Sequence, residues 1–146
     1  MKIGILISGS GSNMIKLIES CQNSKNAFIE IVISNNPDAK GIEYAKLKNI
    51  KTKVVDHKEF SEREDFDNKV HEVLLENNVD FLCNAGFMRI HGEKFVEKWF
   101  NKHLNIHPSL LPSFKGLNTH ERAIKSGVKF AGCTAVSYTH LRAHET

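Results

Sequence analysis

The sequence lacks the cysteine pattern that a disulfide framework or a structural zinc would need. Cys21, Cys83 and Cys133 are odd in number, far apart and without a Cys-x-x-Cys pair. They are expected to be reduced core thiols in a cytoplasmic protein. Long apolar runs are missing too. Nothing approaches the roughly 20 consecutive apolar residues that span a bilayer, and the apolar stretch in MKIGILISGSGSN is too short for a signal peptide. Neither a membrane nor a targeting route is expected. Charge of one sign is nowhere concentrated: the net +3 comes from Lys and Arg scattered among Asp and Glu, which argues against nucleic acid as a partner. Against these absences stands an ordinary globular composition, 40% hydrophobic and 25% charged over 146 residues, suited to one folded domain.

Apolar runs of strand type alternate with segments of helical period, the signature of βαβ units and a mostly parallel sheet. Lys2 to Ile7 is a near-continuous apolar run, as in a strand covered on both faces. From Asn13 the period changes, and Met14, Leu17, Ile18 and Cys21 form one helical stripe. Strands are expected at Phe28 to Ser34, Lys51 to Val55, Val79 to Cys83 and His103 to Ile106, and helices at Ala39 to Lys48 and Gly92 to Phe100. Another helix should start near Ser61, where Ser61 and Glu64 match a capping box and Phe66, Val70, Val73 and Leu74 supply a buried stripe. The expected architecture is α/β, an open doubly wound sheet.

Two segments following strands carry chemistry. The first strand ends in Ser8-Gly9-Ser10-Gly11-Ser12-Asn13, and a helix begins at once. Small residues let a ligand approach the backbone there, and the free N–H groups and positive end of the helix favour phosphate. A tight turn without a ligand has the same pattern. A dinucleotide site would need a third glycine and an acidic residue ending the second strand, but Met14 and the pair Asn35 and Asn36 stand there. No Gly-Lys-Ser/Thr follows, so a Walker loop is excluded as well. If a ligand binds, it is a phosphate monoester on a smaller molecule.

The fifth strand runs into Asn105-Ile106-His107-Pro108-Ser109-Leu110-Leu111-Pro112. Asn105 and His107 alternate with Ile106 and so project from one face of the strand. An amide and an imidazole side by side can both donate to one developing oxyanion. A histidine satisfied by its loop or core is the plainer alternative. Pro108 and Pro112 stiffen the loop that follows.

Together, Ile-Ser-Gly-Ser-Gly-Ser-Asn at the start, Ala-Gly-Phe-Met-Arg-Ile at 85 to 90 and Asn-Ile-His-Pro-Ser-Leu-Leu-Pro at 105 to 112 resemble the glycinamide ribonucleotide formyltransferases, in order and spacing, up to about Thr134. The third motif is shared with methionyl-tRNA formyltransferase and formyltetrahydrofolate deformylase, whereas the first distinguishes the enzyme acting on a small nucleotide. The resemblance implies a Rossmann-like formyltransferase fold and formyl transfer from 10-formyltetrahydrofolate, a co-substrate, to the amine of glycinamide ribonucleotide in purine biosynthesis. It implies that Gly11, Ser12 and Asn13 hold the substrate phosphate. It also sets Met88, Arg89, Ile90 and His91 along the folate pocket, largely through backbone groups, and Arg63 near the folate tail. Asn105 would bind the formyl oxygen and His107 would be the central catalytic residue. The small-molecule substrates are the expected partners, and no metal is expected. His57, His71, His103 and His120 are assigned to surface or packing, as is the His91 side chain.

The family pattern breaks near the end. An aspartate in a Leu-Asp-x-Gly context, which the resemblance implies would raise the histidine pKa and relay protons, is absent. Residues 1–134 are expected to be the catalytic domain, incomplete at its C-terminus, and residues 135–146 a non-native tail like a translated sequencing adapter. His140 and His144 in that tail lack the glutamate of a zinc-protease helix, Leu141 standing in its place. The chain is therefore expected to be inactive as it stands, and a phosphate-binding fragment without turnover is the alternative of a different class.

Overall fold

A computed structural model describes residues 1–138. Eleven principal elements alternate along these residues: β1 (Lys2–Ile7), α1 (Ser12–Cys21), β2 (Phe28–Ser34), α2 (Lys40–Leu47), β3 (Lys51–Val54), α3 (Arg63–Glu76), β4 (Phe81–Asn84), α4 (Glu93–Lys98), β5 (His103–His107), α5 (Thr119–Lys125) and β6 (Thr134–Ser137). The strands form one sheet in the order β3-β2-β1-β4-β5-β6. The pairs among β1 to β5 are parallel, and β6 runs antiparallel to β5.

The near-continuous apolar run of β1 is explained by helices on both faces. Leu6 points into a core with Phe66, Val70, Val73 and Leu74 of α3 and Phe95 of α4. Ile3, Ile5 and Ile7 point the other way, onto Met14 and Ile18 of α1 and Ile42 and Ala45 of α2. Phe66, Val70 and Leu74 are almost wholly removed from water, which contributes about 1.5–3 kcal/mol for each such side chain. The strand order reverses between β1 and β4, the point where open α/β sheets bind ligands outside their carboxyl ends. The glycine turn after β1 and the 85–91 segment after β4 both fall there.

Three expectations are corrected. The Ser61–Glu64 capping box does not form: α3 starts at Arg63 with Glu62 as its cap residue and no side-chain cap bond. Ser61 lies one residue too early, and the Glu64 carboxylate accepts from Lys94 Nζ at 2.8 Å instead. The fourth strand begins at Phe81 rather than Val79 and extends to Asn84. The Val79 N–H still closes the end of α3 by donating to the Leu74 carbonyl at 3.1 Å. Of the three cysteines only Cys83 is buried; Cys21 is half-buried and Cys133 exposed. Burial and the neighbouring Cys21 push the Cys83 thiol up to about 11.

Residues 135–137, assigned to the tail above, lie within β6, with Asn105 opposite Val136 and His107 opposite Thr134. Tyr138 is buried. The remainder of that tail, with His140 and His144, lies outside the described residues. Helix α5 has no counterpart among the expected elements.

Candidate functional site

The glycine turn is built by two close approaches. Gly11 caps α1 in the left-handed conformation, φ +72°, and a Cβ there would stand 2.9 Å from Met14 Cε. Gly41 at the start of α2 is equally constrained: a Cβ would meet Ile7 Cδ1 at 2.6 Å and the Ser10 carbonyl oxygen at 3.2 Å. Its N–H donates to the Gly9 carbonyl at 3.1 Å. The helix therefore starts with its first N–H groups turned outward from a rigid turn. Such groups have no partner within the helix. Ser12 and Asn13 are exposed beside them.

Ser8 ties this turn to the segment after β4. Its Oγ accepts the Met88 N–H at 2.8 Å and donates to Asn35 Oδ1 at 2.6 Å. Its own N–H donates to the Gly86 carbonyl at 3.2 Å. These bonds tie the two loops at the switch point to each other.

Between them and the end of β5 opens a cavity of about 430 Å³. Asn13 lines it from α1, and Met88, Arg89 and Ile90 from the wall loop. Asn105 and His107 line it from β5, and Asn84 and Tyr138 from deeper in the sheet. Gly116 to Thr119 complete the wall before α5. Arg89 offers it a cation: its Nε has no hydrogen-bond partner among the described residues, and its guanidinium lies over the Phe66 ring at 6.0 Å.

His107 is buried, and its Nε2 donates to the Phe114 carbonyl at 3.1 Å. A carbonyl can only accept, so Nε2 carries a proton and Nδ1 is the nitrogen left to exchange one. Ser109 holds the same loop by donating to the Ser113 carbonyl at 2.6 Å. The Asn105 amide, half-buried two residues earlier, makes no side-chain hydrogen bond among the described residues. It is a donor waiting for an acceptor. No Asp or Glu lines this cavity among the described residues.

Some of the residues singled out in the sequence stand apart from the lining. Gly11 and Ser12 are next to Asn13 but do not themselves face the cavity, and Arg63 is exposed at the start of α3. His91 is fully buried behind the wall loop, 3.3 Å from Asp67 and 3.2 Å from Asn84. Burial holds its pKa below the ordinary value, although the Asp67 carboxylate pulls the other way. His71 is depressed by burial and then by Lys98, and its Nδ1 accepts the Trp99 indole N–H at 3.2 Å. His120 is exposed and borders a separate cavity of about 90 Å³ between α5 and the His107 loop. Among the described residues no group of three His, Cys, Asp or Glu is placed to hold a metal, and no helix is long and apolar enough to cross a membrane.

Asn84, Asp67 and the Gly116–Thr119 segment were not anticipated. Asn84 had a usable signal, its place at the end of a strand. Ending that strand one residue early concealed it. Asp67 reads in the sequence as one more polar residue on a helix.

The sequence matches the formyl transferase family over residues 1–140, and the chain belongs to that family. It is 48% identical over 134 residues to the human trifunctional purine biosynthetic protein adenosine-3, covering 91% of this chain and 13% of that protein. It is 42% identical over 134 residues to the phosphoribosylglycinamide formyltransferase of Haemophilus influenzae, covering 91% of this chain and 63% of the relative. Among solved structures, the phosphoribosylglycinamide formyltransferase of Coxiella burnetii superimposes with a TM-score of 0.91 at 38% identity, over 97% of this chain and 67% of that one. The chain thus spans a small part of the trifunctional relatives and under two thirds of the Haemophilus enzyme.

Proposed function

We propose that this chain carries the formyl-transfer site of a glycinamide ribonucleotide formyltransferase. One observation carries the proposal: the start of α1 and the Asn105–His107 strand end border a single cavity, so a phosphate and a reacting carbonyl can be held together. The relatives named above are phosphoribosylglycinamide formyltransferases or purine biosynthetic proteins, which favours the ribonucleotide over a charged tRNA as acceptor.

In this mechanism Gly11, Ser12 and Asn13 hold the ribonucleotide phosphate with the outward N–H groups of α1. Met88, Arg89, Ile90 and His91 line the pocket for 10-formyltetrahydrofolate, largely through backbone groups, and Arg63 lies toward the folate tail. The ribonucleotide amine attacks the formyl carbon, and negative charge gathers on the formyl oxygen. Asn105 donates to that oxygen, as does His107 in its protonated form. The carbon–nitrogen bond to the folate then breaks, the departing nitrogen takes a proton, and the amine loses one. No carboxylate lines the cavity among the described residues to accept the proton that the amine loses, so turnover by the 146-residue chain is slow. Both substrates are small and soluble, consistent with a cytoplasmic setting.

The test joins residues 1–134 to the C-terminal segment of the Haemophilus enzyme and follows folate released from 10-formyltetrahydrofolate. Release dependent on glycinamide ribonucleotide is expected. Release that requires charged initiator tRNA, or none with either acceptor, would refute the proposal.

A further inference from the structure

Behind the wall loop four polar side chains form a buried chain of hydrogen bonds. His103, Asn84, His91 and Asp67 are each less than 5% exposed. His103 Nε2 lies 2.8 Å from Asn84 Oδ1, Asn84 Nδ2 lies 3.2 Å from His91 Nε2, and His91 Nδ1 lies 3.3 Å from Asp67 Oδ1. The other Asp67 oxygen accepts the Gly92 N–H at 2.7 Å. One carboxylate thus receives two consecutive residues at the end of the wall loop. The His91 ring also stacks with Phe87 and Phe95, centroids 5.1 Å and 4.3 Å away. Asn84 is a member of the chain and of the cavity lining at once.

The direction of every bond follows from Asp67. A carboxylate only accepts, so His91 Nδ1 must carry a proton. The buried ring is neutral, since desolvation disfavours its charged form. Its Nε2 must then accept, which requires the nitrogen of the Asn84 amide to face it and the oxygen to face His103. The His103 ring, stacked on Tyr138 at 4.4 Å, donates from Nε2. An amide can sit in a strand end either way round at little steric cost. Here the alternative orientation would turn the Asn84 oxygen onto the accepting Nε2 of His91, acceptor against acceptor in a buried chain, which is costly.

We infer that Asp67 is a positioning residue: through the Nδ1–H tautomer of His91 it fixes which way the Asn84 amide faces in the cavity wall, and with it the donor and acceptor offered to the folate. The last clause rests on the function proposed above; the tautomer does not. Among the described residues the titratable groups in and against the chain are Asp67, His91, His103 and Tyr138, with Arg63 near enough to act on the Tyr138 hydroxyl.

Imidazole nitrogen NMR of the 146-residue chain tests it. The parent should show His91 as a single neutral Nδ1–H tautomer at pH 7. In Asp67→Asn the amide oxygen keeps the Gly92 N–H and its nitrogen must donate to His91 Nδ1. His91 should therefore change to the Nε2–H tautomer, and Asn84 and His103 should reverse with it. In Asn84→Asp, His91 lies between two carboxylates and should be doubly protonated at the same pH. A mixture of tautomers in the parent, an unchanged tautomer in Asp67→Asn, or a neutral His91 in Asn84→Asp would overturn the inference. Binding of 10-formyltetrahydrofolate should weaken about tenfold in Asp67→Asn, the loss expected when one or two hydrogen bonds are mismatched, while binding of glycinamide ribonucleotide stays unchanged. Equal folate binding by parent and variant would refute the role of the wall. A parent that binds no folate refutes the proposed function, and the tautomers still decide the inference.

Discussion

Asn84 and Asn105 stand side by side as register partners at the ends of β4 and β5, and both line the cavity. Their surroundings separate their tasks. Asn84 has its amide oriented by one bond to His91 and one to His103, whereas the Asn105 amide makes no side-chain hydrogen bond among the described residues. A strand-end position thus supplies one fixed wall group and one uncommitted donor within a single register pair.

Removing the uncommitted donor should affect rate more than binding. In the chimera with residues 1–134, Asn105→Ala is expected to lower turnover about 100- to 1000-fold, the usual loss for one oxyanion donor. The substrate KM should change little. Steady-state kinetics decide: a variant within about threefold of the parent, roughly 0.65 kcal/mol of barrier, would mean that Asn105 does not meet the developing charge.

At the glycine turn, Gly11→Asp should abolish calorimetric binding of glycinamide ribonucleotide. The new side chain meets Met14 Cε, is forced into a left-handed backbone, and brings a negative charge toward the phosphate. Ser12→Asp, at an exposed position, adds charge without the clash and should weaken binding as well. Unchanged affinity in Ser12→Asp would exclude a phosphate at this helix start.

Gly41→Ala tests whether the turn depends on its packing against α2. Its Cβ would meet backbone at 3.2 and 3.3 Å as well as the movable end of Ile7, so the strain cannot be relieved by a rotamer alone. A loss of about 1–3 kcal/mol in denaturant unfolding is expected, accompanied by weaker ribonucleotide binding. Loss of stability with intact binding would show that the turn keeps its shape independently.

The pH dependence of stability should carry the mark of His91. Its pKa is depressed in the folded protein by burial, against an ordinary value of 6.5. Below that value the unfolded chain takes up a proton that the folded chain refuses, so stability falls as pH drops through 6.5 and levels off below the depressed value. The slope reaches at most about 1.4 kcal/mol per pH unit for one such group. His71, also depressed by burial, adds to it in the same sense. Comparing unfolding midpoints between pH 7.5 and pH 5.5, His91→Gln should be less pH-sensitive than the parent. An equal slope would mean that His91 takes up its proton without cost in the folded state.

The sheet was legible because its signal is periodic and repeated: strands covered on both faces read as apolar runs, and Phe66, Val70, Val73 and Leu74 mark the buried side of α3. The glycine turn and the Asn105–His107 strand end were legible because the positions just after strands carry their own chemistry. What failed was local competition. Ser61 and Glu64 have cap spacing, but α3 starts one residue later, with Glu62 at the cap position, and the Glu64 carboxylate pairs with Lys94, distant in sequence. Asp67 and Asn84 could not be read as partners because no sequence pattern states that α3, β4 and the 91–92 segment meet. Their pairing is a product of the tertiary fold, as is the burial of Tyr138.

The central claim is that the start of α1 and the end of β5 serve one bound ribonucleotide. Amide proton–nitrogen spectra of the 146-residue chain, titrated with glycinamide ribonucleotide, test it most directly. The account predicts saturable shifts at Gly11, Ser12 and Asn13 together with Asn105, Ile106 and His107, all with one dissociation constant and with little change at β3 or the far end of α3. Shifts confined to one of the two segments, or centred on the smaller cavity beside His120, would contradict it.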